Sequence, residues 1–401
     1  MSAELTVAPL AELRRRRSDK WQRFPGDVLP LFVAEMDYDL APPVAEALLD
    51  AVRRSDTGYP VADPALGRAF AGFAGRHWGW EVDPGQVTPV SDVGVGVVET
   101  LRVLTRPGTV VAISPPVYPP FFDWVPETGT RLLDVPLAHD DAGYRLDLAA
   151  LEAAFATHPA AYLLCNPHNP VGRVHTADEL AALVRLARLY RVPIISDEIH
   201  APLVLPGATF TPLLAVPGAA DVAVAVVSAS KAFNLAGLKC AAVVTAGSRM
   251  AQTVARFAFD TGDRLGHLGL LASIAAFTDS DAWLSTLIST LDARRTQLGG
   301  LLRGHLPGVH WVPPEATFLA WLDCRGLGAD DEPYDRFLTE ARVALVAGTD
   351  FGAAGAGHCR LNFATSPEIL IEAVIRMSAV TPGAGGAGEP DGSRRHRVGR
   401  T

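Results

Sequence analysis

Five short, almost wholly apolar runs constrain this chain more than any other feature. They are Val110-Val-Ala-Ile-Ser114, Ala161-Tyr-Leu-Leu-Cys165, Pro193-Ile-Ile-Ser196, Val222 to Val227 and Ala241-Ala-Val-Val-Thr245. The recurrent pattern is a β-branched run, a turn containing Gly or Pro, and then helical spacing. Runs without polar alternation suit strands covered on both faces, which predicts a largely parallel α/β sheet with helices as crossovers. One crossover helix is specified in detail. Thr176 and Glu179 form a capping box, Leu180, Leu183, Val184, Ala187 and Tyr190 recur at helical spacing, and Pro193 stops the helix near Arg191. No repeat with a period of about 20 to 50 residues is present.

At 401 residues the chain is long enough for more than one domain and for a core that needs no covalent staples. Beyond about residue 280 the pattern changes to two long helices, Ala282 to Leu302 and Pro333 to Val343, around a strand-like stretch from Thr317 to Leu322. The expected organisation is a segment 1–50 that joins a small domain, a large domain 51–280, a small α+β domain 281–380, and a disordered Gly/Pro/Arg-rich tail 381–401.

Composition excludes several function classes. Lys and Arg number 35 against 44 Asp and Glu, a net charge of −9, which argues against a nucleic-acid binder. No apolar run approaches the roughly 18 residues of a spanning helix. Arg14 to Arg17 follow the first apolar stretch, the reverse of a secretory signal, and read as a solvated face. The four cysteines are scattered without CxxC or Cys/His spacing, so they predict buried thiols and no metal site. The expectation is a soluble, cytoplasmic protein.

Four segments carry chemistry. In Ser228-Ala-Ser230-Lys231, a lysine follows an apolar strand between hydroxyls, with Lys239 eight residues on. Desolvation there lowers a lysine toward a usable nucleophile, and the hydroxyls and second cation suit a phosphate. Read alone, the segment is equally a loop lysine beside a helix cap. Ser196-Asp197-Glu-Ile-His200 places an acid and an imidazole at another strand end, although Asp197 could be a plain N-cap. Asn166-Pro-His168-Asn169-Pro-Val-Gly172 is a rigid turn that displays amides, and could be only a turn. Val90-Ser-Asp92-Val93-Gly94-Val-Gly96 passes from strand to helix and offers an amide cradle for an anion. Glu99 stands where a dinucleotide fingerprint needs its third glycine. His168 and His175 lie in turns and are expected to be exposed spectators.

Together with Leu29-Pro-Leu-Phe-Val-Ala-Glu-Met-Asp37, Pro116-Val-Tyr-Pro-Pro-Phe121 and Cys359-Arg-Leu-Asn-Phe363, these segments resemble a family. It is the fold-type I pyridoxal-phosphate enzymes of the class I/II aminotransferase superfamily, and within it the cystathionine β-lyase branch similar to MalY and PatB. The resemblance spans roughly residues 18 to 378. It implies a large domain with a mostly parallel seven-stranded sheet, and a smaller α+β domain. It also implies a role for each matched residue. Lys231 would hold pyridoxal 5′-phosphate covalently and shuttle a proton, and Asp197 would pair with the ring nitrogen. Asn169 and His200 would contact the ring hydroxyl, with Tyr118 stacked on the ring. Ser228, Ser230, Lys239 and the Val93 and Gly94 amides would bind the phosphate, with Asp92 standing where relatives often have Gly. Arg360 would grip the substrate α-carboxylate. Tyr59 would reach the site from the second subunit of a homodimer. The implied activity is carbon–sulfur β-elimination on L-cystathionine or a related cysteine S-conjugate, within methionine biosynthesis. An aminotransferase is the alternative, followed by a cofactor-binding regulatory protein.

Overall fold

The computed structural model describes residues 4–61, 64–328 and 333–381. The predicted tail falls outside these apart from Thr381. The runs singled out in the sequence become the centre of a seven-stranded sheet. Its strands are β1 (Val87–Val90), β2 (Val110–Ile113), β3 (Arg131–Asp134), β4 (Ala161–Cys165), β5 (Ile194–Asp197), β6 (Ala223–Val227) and β7 (Ala241–Val244). The spatial order is β1-β7-β6-β5-β4-β2-β3. All strands are parallel except β7, which lies antiparallel between β1 and β6.

Each central strand buries both faces, as its lack of polar alternation requires. Along β6, Val224 and Val226 join one apolar cluster while Ala223, Ala225 and Val227 join the other. Helix α1 (Val93–Leu104) covers the first face through Val93, Val97 and Leu101. Helix α2 (Ala177–Tyr190) covers the second through Leu180, Leu183, Val184 and Ala187. The capping box on α2 is formed as predicted. The Thr176 hydroxyl accepts from Glu179 N–H at 3.1 Å, and the Glu179 carboxylate accepts from Thr176 N–H at 2.7 Å. Such a cap contributes about 1 kcal/mol.

The C-terminal part builds helix α3 (Asp281–His305) and helix α4 (Pro367–Ala379) around a three-stranded antiparallel sheet. Its strands are β8 (Leu319–Asp323), β9 (Val346–Ala347) and β10 (His358–Asn362), in the order β8-β10-β9. The second predicted helix is shorter than its sequence pattern suggests, ending at Thr339. Val343–Ala344 instead pairs in parallel with Leu29–Pro30, a long-range contact that overrides local helical spacing. The N-terminal segment is thereby laced to the C-terminal elements.

One surface reading needs refinement. Arg14, Arg15 and Arg17 are exposed, whereas Arg16 is half-buried and its guanidinium donates to the Met36 and Asp37 carbonyls at 3.4 and 3.0 Å. The four cysteines are free and buried, as expected. No described helix is long and apolar enough to cross a membrane.

Candidate active site

The loops that follow β1, β4, β5 and β6 meet beyond the carboxyl ends of the strands, where open α/β sheets take their ligands. There they enclose a cavity of about 330 Å³. Its wall includes Val93, Gly94, Tyr118, Asn169, Asp197, His200, Ser230, Lys231, Lys239 and Arg360. Two predicted residues are elsewhere. Tyr59 is 90% exposed and outside the wall. Ser228 is buried behind it; its hydroxyl donates to the Cys240 carbonyl at 2.7 Å and accepts from Ser230 N–H at 3.0 Å. Ser228 thus closes the base of the lysine loop, with its hydroxyl also 2.7 Å from that of Ser230 on the wall.

At the inner end Asp197, His200 and Arg360 are buried and Lys231 is half-buried. The Lys231 amine donates to the Ala34 carbonyl at 3.1 Å. Burial, reinforced by the nearby Arg360 charge, lowers its pKa to about 8. Arg360, on β10, donates to the Asn169 side-chain oxygen at 3.1 Å and to the Phe32 carbonyl at 3.0 Å. Its guanidinium also lies 5.0 Å from the centre of the Phe351 ring. Its Nε has no partner, a buried donor left open toward a ligand. Burial pushes Asp197, at the end of β5, up to about 7, although Ile199 N–H donates to it at 3.1 Å. Burial drives the His200 imidazole down to about 3, and its Nδ1 is unpartnered. Desolvation likewise raises the Tyr118 hydroxyl.

The outer end is an anion cradle. Asp92 caps α1 by accepting from Val95 N–H at 2.8 Å. The Val93 and Gly94 N–H groups belong to the first helical turn and have no intrahelical acceptor. A Cβ on Gly94 would stand 2.8 Å from the Trp124 ring, and one on Gly96 2.9 Å from Val226. The glycines therefore let the helix start press against its neighbours. Lys239 forms an ion pair with Asp92 at 3.0 Å. Two amides, the Ser230 hydroxyl and one ammonium suit a phosphate monoester.

The two ends together fit pyridoxal phosphate. A phosphate fits the cradle, and the lysine amine is tuned toward its neutral form. Among the described residues no cation lies in ion-pair contact with Asp197, so its carboxylate is open to a protonated ring nitrogen. The orphaned His200 Nδ1 is a further polar atom that a bound ring could satisfy.

His168 and His175 are not the exposed spectators expected from turn residues: they are 1% and 0% exposed. The loop that carries them is covered by a second connection, with Glu315 and Ala316 N–H both donating to the Gly172 carbonyl. Sequence reasoning also missed Ala34, Trp124 and Phe351, whose contributions are a carbonyl or an apolar face. It missed Glu198 too, beside Asp197 in the quoted motif. Glu198 is buried and accepts from Ser196, Asn166 and Leu213.

Residues 26–377 match the family described as Aminotransferase class I and II. A Mycobacterium leprae protein provisionally named cystathionine beta-lyase is 47% identical over 398 residues, covering 94% of this chain and 98% of that protein. Cystathionine beta-lyase PatB of Bacillus subtilis is 32% identical over 357 residues, covering 88% and 92%. Among solved structures, a provisionally named pyridoxal-phosphate-dependent beta-cystathionase of Corynebacterium diphtheriae superposes with a TM-score of 0.89. It is 34% identical and covers 94% of this chain and 98% of its own.

Proposed function

The chain belongs to the class I and II aminotransferase family, with the fold-type I architecture and in the branch of PatB and MalY, and on that premise we propose that it catalyses β-elimination on L-cystathionine. It is a pyridoxal-phosphate-dependent carbon–sulfur β-lyase. Cystathionine and water give homocysteine, pyruvate and ammonia, and other cysteine S-conjugates satisfy the same chemistry. The observation that carries the reading is Arg360, the one arginine on the described cavity wall, which faces Lys231 across the cavity and suits the α-carboxylate of the amino-acid half that reacts.

When bound, pyridoxal phosphate supplies an electron sink for the pair left at Cα. Arg360 holds the α-carboxylate through its planar fork, pre-aimed by Asn169 and the Phe32 carbonyl. Lys231, its pKa drawn down to about 8 by desolvation, takes the α-proton and carries it within the cavity. Asp197 keeps the ring nitrogen protonated, since a cation beside this carboxyl restores its charge. His200 and Asn169 would address the ring hydroxyl and Tyr118 would stack on the ring, while Val93, Gly94, Ser230 and Lys239 would hold the phosphate. The sulfur leaves from Cβ as thiolate, a good leaving group.

This reading includes a cytoplasmic homodimer that works in methionine biosynthesis. Tyr59, Val61, Val52 and Phe259 are 90%, 74%, 58% and 97% exposed, apolar surface of the kind a second copy covers. Free thiols at all four cysteines accord with a reducing compartment. The test is purified protein supplied with cystathionine and no keto acid. Steady pyruvate and thiol release is expected; turnover that requires a keto acid and releases no thiol would show an aminotransferase. Mixing inactive Lys231→Ala and Tyr59→Ala proteins should restore part of the activity if each site draws on two chains.

A further inference from the structure

His168 is wholly inside the protein, yet it touches neither end of the cavity directly. Its Nε2 lies 2.9 Å from the Pro116 carbonyl, and its own backbone pairs with Arg173. A ring nitrogen that faces a carbonyl must carry the proton, so Nε2–H donates and Nδ1 is bare; Nδ1 indeed has no partner. The two backbones joined by this bond leave the ends of β2 and β4, which are neighbours in the sheet. One loop delivers Tyr118, two residues after Pro116. The other delivers Asn169, the residue next to His168. Other described contacts tie each loop separately: Val117 N–H donates to the Phe351 carbonyl at 3.1 Å, and Arg360 donates to Asn169.

We propose that His168 is a positioning residue: its Nε2–H bond to Pro116 fixes the separation between the Tyr118 ring and the Asn169 amide, and so the slot that receives the cofactor ring. The inference rests on the pyridoxal-phosphate reading of the cavity. The bond is buried, so removing the donor leaves a carbonyl unsatisfied exactly between the two loops, at a cost that neither solvent nor salt relieves. His175 packs edge-on at 5.6 Å and its own Nε2 bonds the Cys165 carbonyl, which keeps the His168 ring from turning away.

The experiment compares His168→Gln with His168→Leu. A glutamine amide places an N–H where the histidine Nε2–H was, whereas leucine fills the space without a donor. Three quantities are read: cofactor affinity of the apo-protein, visible circular dichroism of the bound cofactor, and kcat and KM separately. Leucine should weaken cofactor binding about tenfold, the loss expected for one buried hydrogen bond, and change the dichroic band. Glutamine should restore both to near the wild-type values. A purely structural role would lower thermal stability while leaving the band and the affinity of folded protein unchanged. Should the leucine variant fail to fold, His168→Asn, whose amide stops short of Pro116, takes its place with the same expected loss. The inference is overturned if leucine leaves band and affinity as in the wild type, or if glutamine loses as much as leucine. Wild-type protein that takes up no pyridoxal phosphate would overturn the functional reading itself, and this inference with it.

Discussion

Asp197, His200 and Arg360 are 3%, 2% and 5% exposed, whereas the Lys239 and Asp92 side chains at the other end of the same cavity are 59% and 35% exposed. The inner groups are governed by desolvation, which moves the Asp197, His200, Lys231 and Arg360 pKa values toward their uncharged forms. A charge brought in by substrate or cofactor then changes them strongly, because little water intervenes. At the outer end, water and salt screen the Lys239–Asp92 pair. Holding a phosphate there depends more on where α1 begins than on net charge. One cavity thus pairs a site that alters protonation with a site that anchors.

The sharpest way to break this contrast is at the inner end. Lys231→Ala should cost roughly ten-thousandfold in turnover, the upper range for loss of a positioned proton carrier. Borohydride reduction of wild-type protein followed by peptide mapping should find the cofactor on Lys231, and mapping to any other lysine would sink the assignment. Asp197→Asn preserves shape but cannot compensate a ring cation; turnover should fall roughly a hundredfold. Arg360→Ala should lower kcat/KM by about ten- to a hundredfold, matching the 1.5 to 3 kcal/mol of a charge-assisted bond. A substrate analogue that lacks the α-carboxylate should bind both proteins alike.

The pH dependence follows from the same burial. Only the neutral lysine amine can take up an aldehyde, and its pKa is depressed to about 8. Cofactor uptake by apo-protein should therefore rise with pH, level off above about 8, and fall about tenfold per unit below that. A flat profile between pH 6 and 8 would contradict the buried amine. The smallest effect belongs to the outer end. Asp92→Asn retains the helix cap but frees Lys239, so cofactor affinity should improve by less than about 1 kcal/mol, and the gain should shrink in high salt.

Much of this contrast was legible in the sequence because the relevant residues follow apolar runs within a few positions. Lys231 after β6, Asp197 at the end of β5 and Asn169 after β4 needed only strand ends and turn chemistry. Arg360 did not announce itself that way; the resemblance placed it, since its partners Asn169 and the Phe32 carbonyl lie 191 and 328 residues away. The Ala34 carbonyl at Lys231 had no sequence signal at all, being a backbone atom. His168 and His175 misled for a physical reason. A turn residue is ordinarily wet, and nothing local shows that the segment around Glu315 folds over this turn. The helix expected over Pro333 to Val343 ran too far for the same cause, since Val343 pairs with a strand more than three hundred residues earlier.

The reversed direction of β7 has a consequence for how the site is assembled. The chain leaves the sheet at Val227 and returns at Ala241 on the adjoining strand, about 4.8 Å away. The bond from Ser228 to Cys240 clasps the two posts. Residues 229–239, with Ser230, Lys231 and Lys239 aboard, are in effect a cassette plugged into a fixed socket. Because both ends of this connection are pinned to adjoining strands, the nucleophile and the phosphate ligand are set in place together, as one part.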